Sequence, residues 1–477
     1  MFEPTPEQAA ILSAAQSATD NLIIEARAGA AKTTTLVMLA EALAPLEIRC
    51  VAFNKKIADE LNQRLPQNAQ AATMNSLGHR AWGRFLGRRL KLEKSKTYSL
   101  LSDEVRRLRD EDQEAARESF SFILQAVRQS KSSGFITKHP HAKPLISRED
   151  FFLGLEEEPT PLEEELILAV IKKSLDQALQ GIIDFDDQLL CSALFPVSFE
   201  PAPLTLVDEA QDLSVIQHLM LRKMCRGKRL IAVGDPFQAI YGFRGADEDS
   251  MQSLASMFDM KTHYLTLTFR CPSEIVAEAQ WRAPDMTSAA KHSGEVQTWA
   301  AWNADMIPDN AAILCRNNAP LFRMALNLIR AGRYPELLGN DVLAGMIKLL
   351  RSFGDMTMSQ SSAMERAAAW RDSKEKKVRG KAALEDRYQC LLLLLEQGPV
   401  LGDAIAYAES LAKSKGRIKL MTVHKSKGLE FDTVFILDQQ LMRPKGQDLN
   451  LRYVAQTRAQ RQLIYITTDG YETAPGG

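Results

Sequence analysis

The stretch Glu25-Ala26-Arg27-Ala28-Gly29-Ala30-Ala31-Lys32-Thr33-Thr34 constrains this chain more than any other. It follows the apolar run Leu22-Ile23-Ile24, which reads as a buried strand. It opens a helix-favouring run from Thr33 to Ala44 that stops at Pro45. Strand, small-residue loop, Lys-Thr and helix is the layout of a phosphate-binding loop. The backbone N–H groups over Ala28, Gly29, Ala30 and Ala31 and the helix N-terminus face the anion. Lys32 adds a charge, and Thr33, with Thr34 beside it, offers a hydroxyl to Mg2+. Two positions depart from the strict pattern: Ala26 stands where the first Gly belongs, and Ala31 where Gly precedes Lys. Taken alone, the loop is balanced by an ordinary strand–turn–helix, so the rest of the chain has to decide.

At 477 residues the chain can hold two to four domains. Its 45% hydrophobic and 25% charged residues are ordinary for a soluble globular protein. A net charge of −1 means that any nucleic-acid surface must be a local patch. The six cysteines are scattered, with no C-x-x-C pair, which argues against a zinc or iron–sulfur site and a disulfide scaffold and suits a reducing cytosol. The N-terminus lacks a basic region followed by an apolar stretch, so no signal peptide is expected. The apolar run around Leu391–Leu395 is too short to span a bilayer.

Along the chain, Thr5 reads as a helix N-cap with Pro6 first in the helix and Gln8 as capping-box partner; contact of Gln8 with an adenine has the same spacing. Strands follow at Ile48–Ala52 and Ala69–Met74, with a helix at Ile57–Leu65 between them. The polar ends of these strands, Phe53-Asn54 and Thr73-Met74-Asn75, belong where open α/β sheets line a ligand crevice. From residue 88 helical patterns take over. The basic residues Arg84, Arg88, Arg89, Lys91, Lys94 and Lys96 read first as a solvated face and second as a phosphate patch. Asp184-Phe185-Asp186-Asp187 could suggest a metal, but acidic residues suit a helix start, and the structural reading is preferred. Strands resume at Leu204–Val207, Leu230–Val233 and Tyr264–Phe269, each ending in charged or amide residues. A second α/β pattern has strands at Ala311–Cys315, Ile418–Val423, Val434–Leu437 and Leu463–Ile466. It is interrupted by a mostly helical stretch with the basic run Arg371, Lys374, Lys376, Lys377, Arg379 and Lys381. The chain thus divides into an α/β domain over residues 1–87 and 181–270, a helical insertion over 88–180, a second α/β domain over 271–332 and 418–477, and a second insertion over 333–417.

Hydrolysis of a nucleoside triphosphate needs phosphate cradling, a metal, an oriented water and positive charge for the transition state. Lys32 would reach the phosphates, Thr33 and Asp208 would hold Mg2+, and Glu209 would orient or deprotonate the water. Adjacent carboxylates on a strand point to opposite sides, so the chain must turn at Asp208-Glu209 for both to serve one site. Gln238 would sense the γ-phosphate, and Arg270 and Arg458 are candidate arginine fingers.

Several motifs carry a family resemblance. They are the loop, Val-Asp-Glu-Ala-Gln-Asp, Val-Gly-Asp-Pro-Phe-Gln-Ala-Ile-Tyr-Gly-Phe-Arg-Gly-Ala, Leu-Thr-Leu-Thr-Phe-Arg, Met-Thr-Val-His-Lys-Ser-Lys-Gly-Leu-Glu-Phe and Tyr-Val-Ala-Gln-Thr-Arg-Ala. Their order resembles that of UvrD/Rep/PcrA-like superfamily 1 DNA helicases, from Gln8 to Arg458. The resemblance implies two RecA-like parallel-sheet motor domains with helical insertions and ATP with Mg2+ in the cleft between the motors. It also implies 3′ to 5′ translocation on single-stranded DNA and action at single-strand/duplex junctions, aided by an unidentified loading protein. By the same resemblance Gln8 would read adenine, Phe269 would stack on it and Glu430 would contact the ribose. Tyr241, Phe243 and Arg244 would face DNA, where aromatic stacking gives grip without sequence preference. Phe53, Asn54, Asn75 and His424 are further DNA-path candidates, and Asn75 departs from the His that relatives usually carry. A cytoplasmic, nucleoid-associated protein of bacterial or phage origin is implied.

Other departures set the remaining expectations. Residues 333–417 are too few for a full copy of the relatives' accessory domain, and little chain follows Arg458. A minimal motor is expected, with reduced duplex-contacting parts. The function expected is an ATP-dependent single-stranded-DNA translocase and 3′–5′ helicase. The alternatives are a translocase that displaces proteins while unwinding weakly, and a nucleotide-gated DNA-binding module with impaired ATPase. Arg27 is expected to lie outward or to add charge near the nucleotide, and Ala31 to need a negative φ or supporting surroundings.

Overall fold

The computed structural model describes residues 3–472, apart from 243–246, 248, 376–377 and 379–380, with the side chains of Asn340 and Asp341 left aside. The chain forms two compact units: Met1–Ala26 with Ala31–Leu265, and Arg27–Ala30 with Thr266–Gly477. Each contains a six-stranded, wholly parallel sheet flanked by helices, the RecA-like architecture expected. No helix among the described residues is long and apolar enough to cross a membrane.

In the first unit the strands are β1 (Leu22–Ala26), β2 (Ile48–Ala52), β3 (Ala69–Thr73), β4 (Leu204–Val207), β5 (Arg229–Gly234) and β6 (Lys261–Leu265), in spatial order β3-β2-β4-β5-β1-β6. β2 and β4 are buried at every residue, as two-sided parallel strands must be, which is why they read as unbroken apolar runs. The expected strand Tyr264–Phe269 is corrected. β6 ends at Leu265, and Leu267–Thr268 pairs instead with Thr287–Ser288 in the other unit. The division between units falls inside one stretch of alternating Leu and Thr, where periodicity gives no warning.

The first insertion departs at the two-residue strand Lys91–Leu92 and returns at its partner Ile182–Ile183. Its helices bury their own core, including Leu101, Ile123, Val127, Phe151, Ile167 and Val170. The Asp184 cluster has the structural role preferred above. Asp184 caps helix Phe185–Leu194 in a capping box with Asp187. Asp184 also meets Lys131 at 2.5 Å, and Asp187 meets Lys96 at 2.6 Å. Lys131 and its hydrogen bonds hold Asp184, despite its burial, down at about 2. Lys96 therefore leaves the expected basic face for a buried ion pair.

The second unit holds β7 (Glu295–Thr298), β8 (Ala312–Cys315), β9 (Pro335–Leu337), β10 (Ile418–Thr422), β11 (Phe431–Leu437) and β12 (Ala459–Ile466), ordered β7-β12-β11-β8-β10-β9. The edge strands β7 and β9 escaped the sequence reading. They are short, and β7 is largely polar, as edges that must not recruit another strand tend to be. The second insertion packs closely on the rest of its unit. Leu343, Leu350, Ala367, Leu391, Leu394 and Ile405 from its helices share one core with Ile313, Phe322, Leu420 and Phe435 of the sheet layer. Asp386, from helix Lys381–Leu395, accepts hydrogen bonds from the N–H groups of Asn318 and Ala319 at the start of helix Asn318–Arg330. This stretch belongs to the body of its unit.

Candidate functional site

The nucleotide candidates of the first unit converge where β1 and β4 end. Helix Lys32–Ala42 begins directly after the loop, placing Lys32 and Thr33 in its first turn. After β4 the chain turns at Glu209, whose φ of 51° is left-handed, and enters the one-turn helix Ala210–Asp212. This is the turn the two carboxylates require. Asp208 Oδ2 accepts from Thr33 Oγ1 at 3.4 Å, Asp208 Oδ1 accepts from the N–H of Glu209 at 2.9 Å, and Glu209 Oε2 lies 3.1 Å from Lys32 Nζ. An extended strand end would have sent the two side chains apart.

Electrostatics follow from this crowding. Burial alone would lower the Lys32 ammonium, but Glu209, Asp235 and Asp208 together raise it, so Lys32 stays charged. Burial, and then the Glu209 carboxylate, push Asp208 up to about 7 against the pull of Lys32. The Thr33 hydroxyl and the buried Asp208 carboxylate are hard oxygen donors of the kind that suits Mg2+, which is bound through few protein ligands. Among the described residues no group of three or more His, Cys, Asp or Glu is placed to hold a metal ion.

Two residues at this centre escaped the sequence reading. Gln211, only 1% exposed, donates from Nε2 to Glu209 Oε2 at 2.6 Å and accepts the N–H of Asp235 at 3.0 Å. Asp235 is fully buried and accepts from Gln238 Nε2 at 2.6 Å. Lys32, Glu209, Gln211, Asp235 and Gln238 thus form one chain of polar contacts. A side chain at Gly234 would meet Gln211 Oε1 at 2.5 Å, so that contact needs glycine. The signal was available, since both residues directly follow strands in the quoted motifs. Gln8 meets the capping reading of its position in full. It completes the capping box with Thr5, and its Nε2 donates to Thr35 Oγ1 at 3.0 Å.

The loop itself brings corrections. Ala31 has φ 55°, not the negative value that would make it harmless. Thr34 Oγ1 accepts from Arg64 at 3.1 Å. Arg27 does not lie outward: it is buried and paired bidentately with Asp285, at 2.7 Å through Nε and NH2. This hydrogen bonding lowers the Asp285 carboxyl, which matches a stable ion pair.

In the second unit, the N–H of Ala28 donates to Tyr453 Oη at 3.0 Å, that of Ala30 to Arg27 O at 3.0 Å, and Gly29 O accepts from Phe269 N at 3.0 Å. Gly29 has φ 74°, and a Cβ there would lie 2.6 Å from Thr268 Oγ1, so both conformation and space require glycine. Phe269 is 54% exposed. Arg270 donates from Nε to Glu430 Oε2 at 2.7 Å and from NH1 to Thr457 O at 3.3 Å. Arg458 is 1% exposed and donates to the carbonyls of Val454 and Leu429 and to Thr457 Oγ1. Arg270, Glu430 and Arg458 therefore cluster, with Arg458 turned into its own unit. His424 sits half-buried in the short helix Val423–Ser426.

Among the DNA candidates, Phe53 and Tyr241 stack with ring centres 6.2 Å apart and planes within 10°, and Phe53 is 43% exposed. Phe243 and Arg244 lie outside the described residues. Asn54 caps the helix Lys55–Arg64, its Oδ1 accepting from the N–H of Ile57. Asn75 Nδ2 donates to Phe185 O at 2.7 Å, beside the exposed Phe185 ring. That ring is an aromatic candidate hidden within the acidic cluster.

Two parallel-sheet units with a lysine–threonine loop facing a turned pair of carboxylates define a P-loop NTPase. Residues 6–259 match the UvrD/REP helicase N-terminal domain, and residues 347–470 the UvrD-like helicase C-terminal domain. The chain belongs to the UvrD/REP helicase family. It is 26% identical to F-box DNA helicase 1 of Gallus gallus over 92% of this chain and 47% of that protein. It is 25% identical to ATP-dependent DNA helicase PcrA of Staphylococcus epidermidis over 60% of this chain and 40% of that protein. It is 24% identical to Gabija protein GajB of Bacillus cereus over 94% of this chain and 92% of that protein. The chain spans about half the length of the F-box helicases it matches.

Proposed function

We propose that this chain hydrolyses ATP with Mg2+ and uses the energy to move 3′ to 5′ along single-stranded DNA, unwinding duplex at junctions. The observation that carries the reading is the convergence of Lys32, Thr33, Asp208 and Glu209 on one loop. In the proposed cycle Lys32 binds the phosphates, and Thr33 and Asp208 hold Mg2+, which neutralises phosphate charge. Glu209 orients the attacking water and takes its proton. Gln238 responds to the γ-phosphate, and Arg270 and Arg458 supply positive charge to the transition state, a contribution of roughly 10³–10⁵ in rate for such a residue. Because Arg458 is held by backbone carbonyls, its part requires exchanging those bonds. Gln8 and Phe269 take the adenine and Glu430 the ribose. Phe53 and Tyr241 grip DNA by stacking, which suits a motor because every base has a π-face.

The naming of relatives as DNA helicases supports DNA as the substrate. Merging of the second insertion into its unit's core favours a motor that clears proteins from DNA as readily as it unwinds. Strand displacement on duplexes with 3′ or 5′ tails, run beside displacement of a bound protein block, tests the reading. Activity confined to the 3′ tail is expected; activity confined to the 5′ tail would reverse the polarity assignment.

A further inference from the structure

Glu209 holds a backbone conformation that costs a β-unbranched L-residue roughly 1–2 kcal/mol, so its neighbours must hold it there. Asp208 ties down its N–H and Gln211 its carboxylate. A third restraint acts on the next residue. Ser250, first in helix Ser250–Phe258, donates its hydroxyl proton to the carbonyl of Ala210 at 2.6 Å. The competing N–H of Leu213 lies 3.5 Å from that carbonyl. Ser250 Oγ in turn lies 2.9 Å from Nε2 of His218, in helix Val215–Met224.

Hydrogen counting fixes the direction of this last bond. The serine hydroxyl has one proton, and Ala210 receives it, so His218 must donate from Nε2. His218 and Ser250 are 2% and 1% exposed. Burial lowers the imidazole pKa, which favours the neutral ring. Nδ1, 3.7 Å from Asp247 Oδ2, is beyond hydrogen-bond reach and is left without a proton. A buried hydroxyl and imidazole are costly unless bonded, and here both are spent on one carbonyl.

We propose that Ser250 and His218 are positioning residues that hold the Glu209 turn, and with it the water-orienting carboxylate, in working geometry. The inference deepens the ATPase reading and rests on it. The pair touches neither Lys32 nor Thr33, so loss of the clamp acts on the chemical step more than on nucleotide binding.

Three variants of the full chain test it: Ser250→Ala, His218→Leu and His218→Gln. The first two should lower kcat for ATP about tenfold with KM within twofold. His218→Gln, whose amide can still donate, should restore kcat to within threefold of wild type. Unchanged kcat in Ser250→Ala and His218→Leu, a failure of glutamine to rescue, or kcat and KM shifting together would overturn the proposal. ¹⁵N NMR of the imidazole, assigned by loss of the signal in His218→Gln, reads the clamp without turnover. The neutral Nε2–H tautomer supports it, and an Nδ1–H tautomer or an imidazolium contradicts it. If the wild type proves to lack ATPase, the functional reading falls and the tautomer alone decides the clamp.

Discussion

Each sheet ends one of its inner strands in the same way: an acidic residue in left-handed conformation followed by one turn of 3-10 helix. In the first unit it is Glu209, φ 51°, before Ala210–Asp212; in the second it is Asp438, φ 52°, before Gln439–Leu441. The uses differ. Asp438 spends its carboxylate on the N–H of Thr468, at 2.8 Å, and on its hydroxyl, closing a loop. Glu209 directs its carboxylate to Lys32 and Gln211. Aspartate visits this conformation comparatively readily because its short side chain can bond locally; glutamate has less such compensation. The same backbone is thus a turn whose carboxylate ties down a neighbouring loop in one unit, and in the other a turn whose carboxylate meets a buried lysine.

Substitutions should separate the two turns. Lys32→Ala and Glu209→Gln should each reduce ATP turnover by about 10³-fold or more while single-stranded DNA still binds, read by phosphate release and fluorescence anisotropy. Retained turnover would mean the site is misassigned. Asp438→Ala should do the reverse, costing about 2 kcal/mol in urea unfolding of the second unit with KM for ATP within twofold. Equal damage to turnover would end the contrast. Gln211→Ala should lower kcat about tenfold by freeing Glu209, an effect with no counterpart at Gln440→Ala. Smallest is Ala31→Gly, which should gain about 1 kcal/mol in stability and change ATPase by no more than threefold. A gain of orders of magnitude would mean the natural loop is impaired and would reopen the binding-module reading.

Much of this was legible in the sequence because the physics is local. Strands buried on both faces read as apolar runs, and polar residues at their ends read as site candidates; Leu204–Val207 with Asp208-Glu209 is the clearest case. The capping roles of Thr5 and Asp184 follow from spacing alone. What stayed hidden depends on distant partners. Arg27 reads as a free cation until Asp285, far along the chain, pairs with it. The buried pairing of Lys96 with Asp187 joins residues on two distant segments and cannot be read from either alone. The sign of φ at Ala31 and Glu209 leaves no trace in composition, and β7 lacks the apolar run that announces an inner strand.

ATP turnover at the proposed Lys32–Glu209 site should respond to DNA. Steady-state phosphate release, measured with and without single-stranded DNA on the folded wild-type chain and on Glu209→Gln, tests it most directly. The account predicts at least a tenfold rise with DNA in the wild type and near-background rates in the variant. No DNA-dependent turnover in the wild type, or equal turnover in the variant, would contradict it.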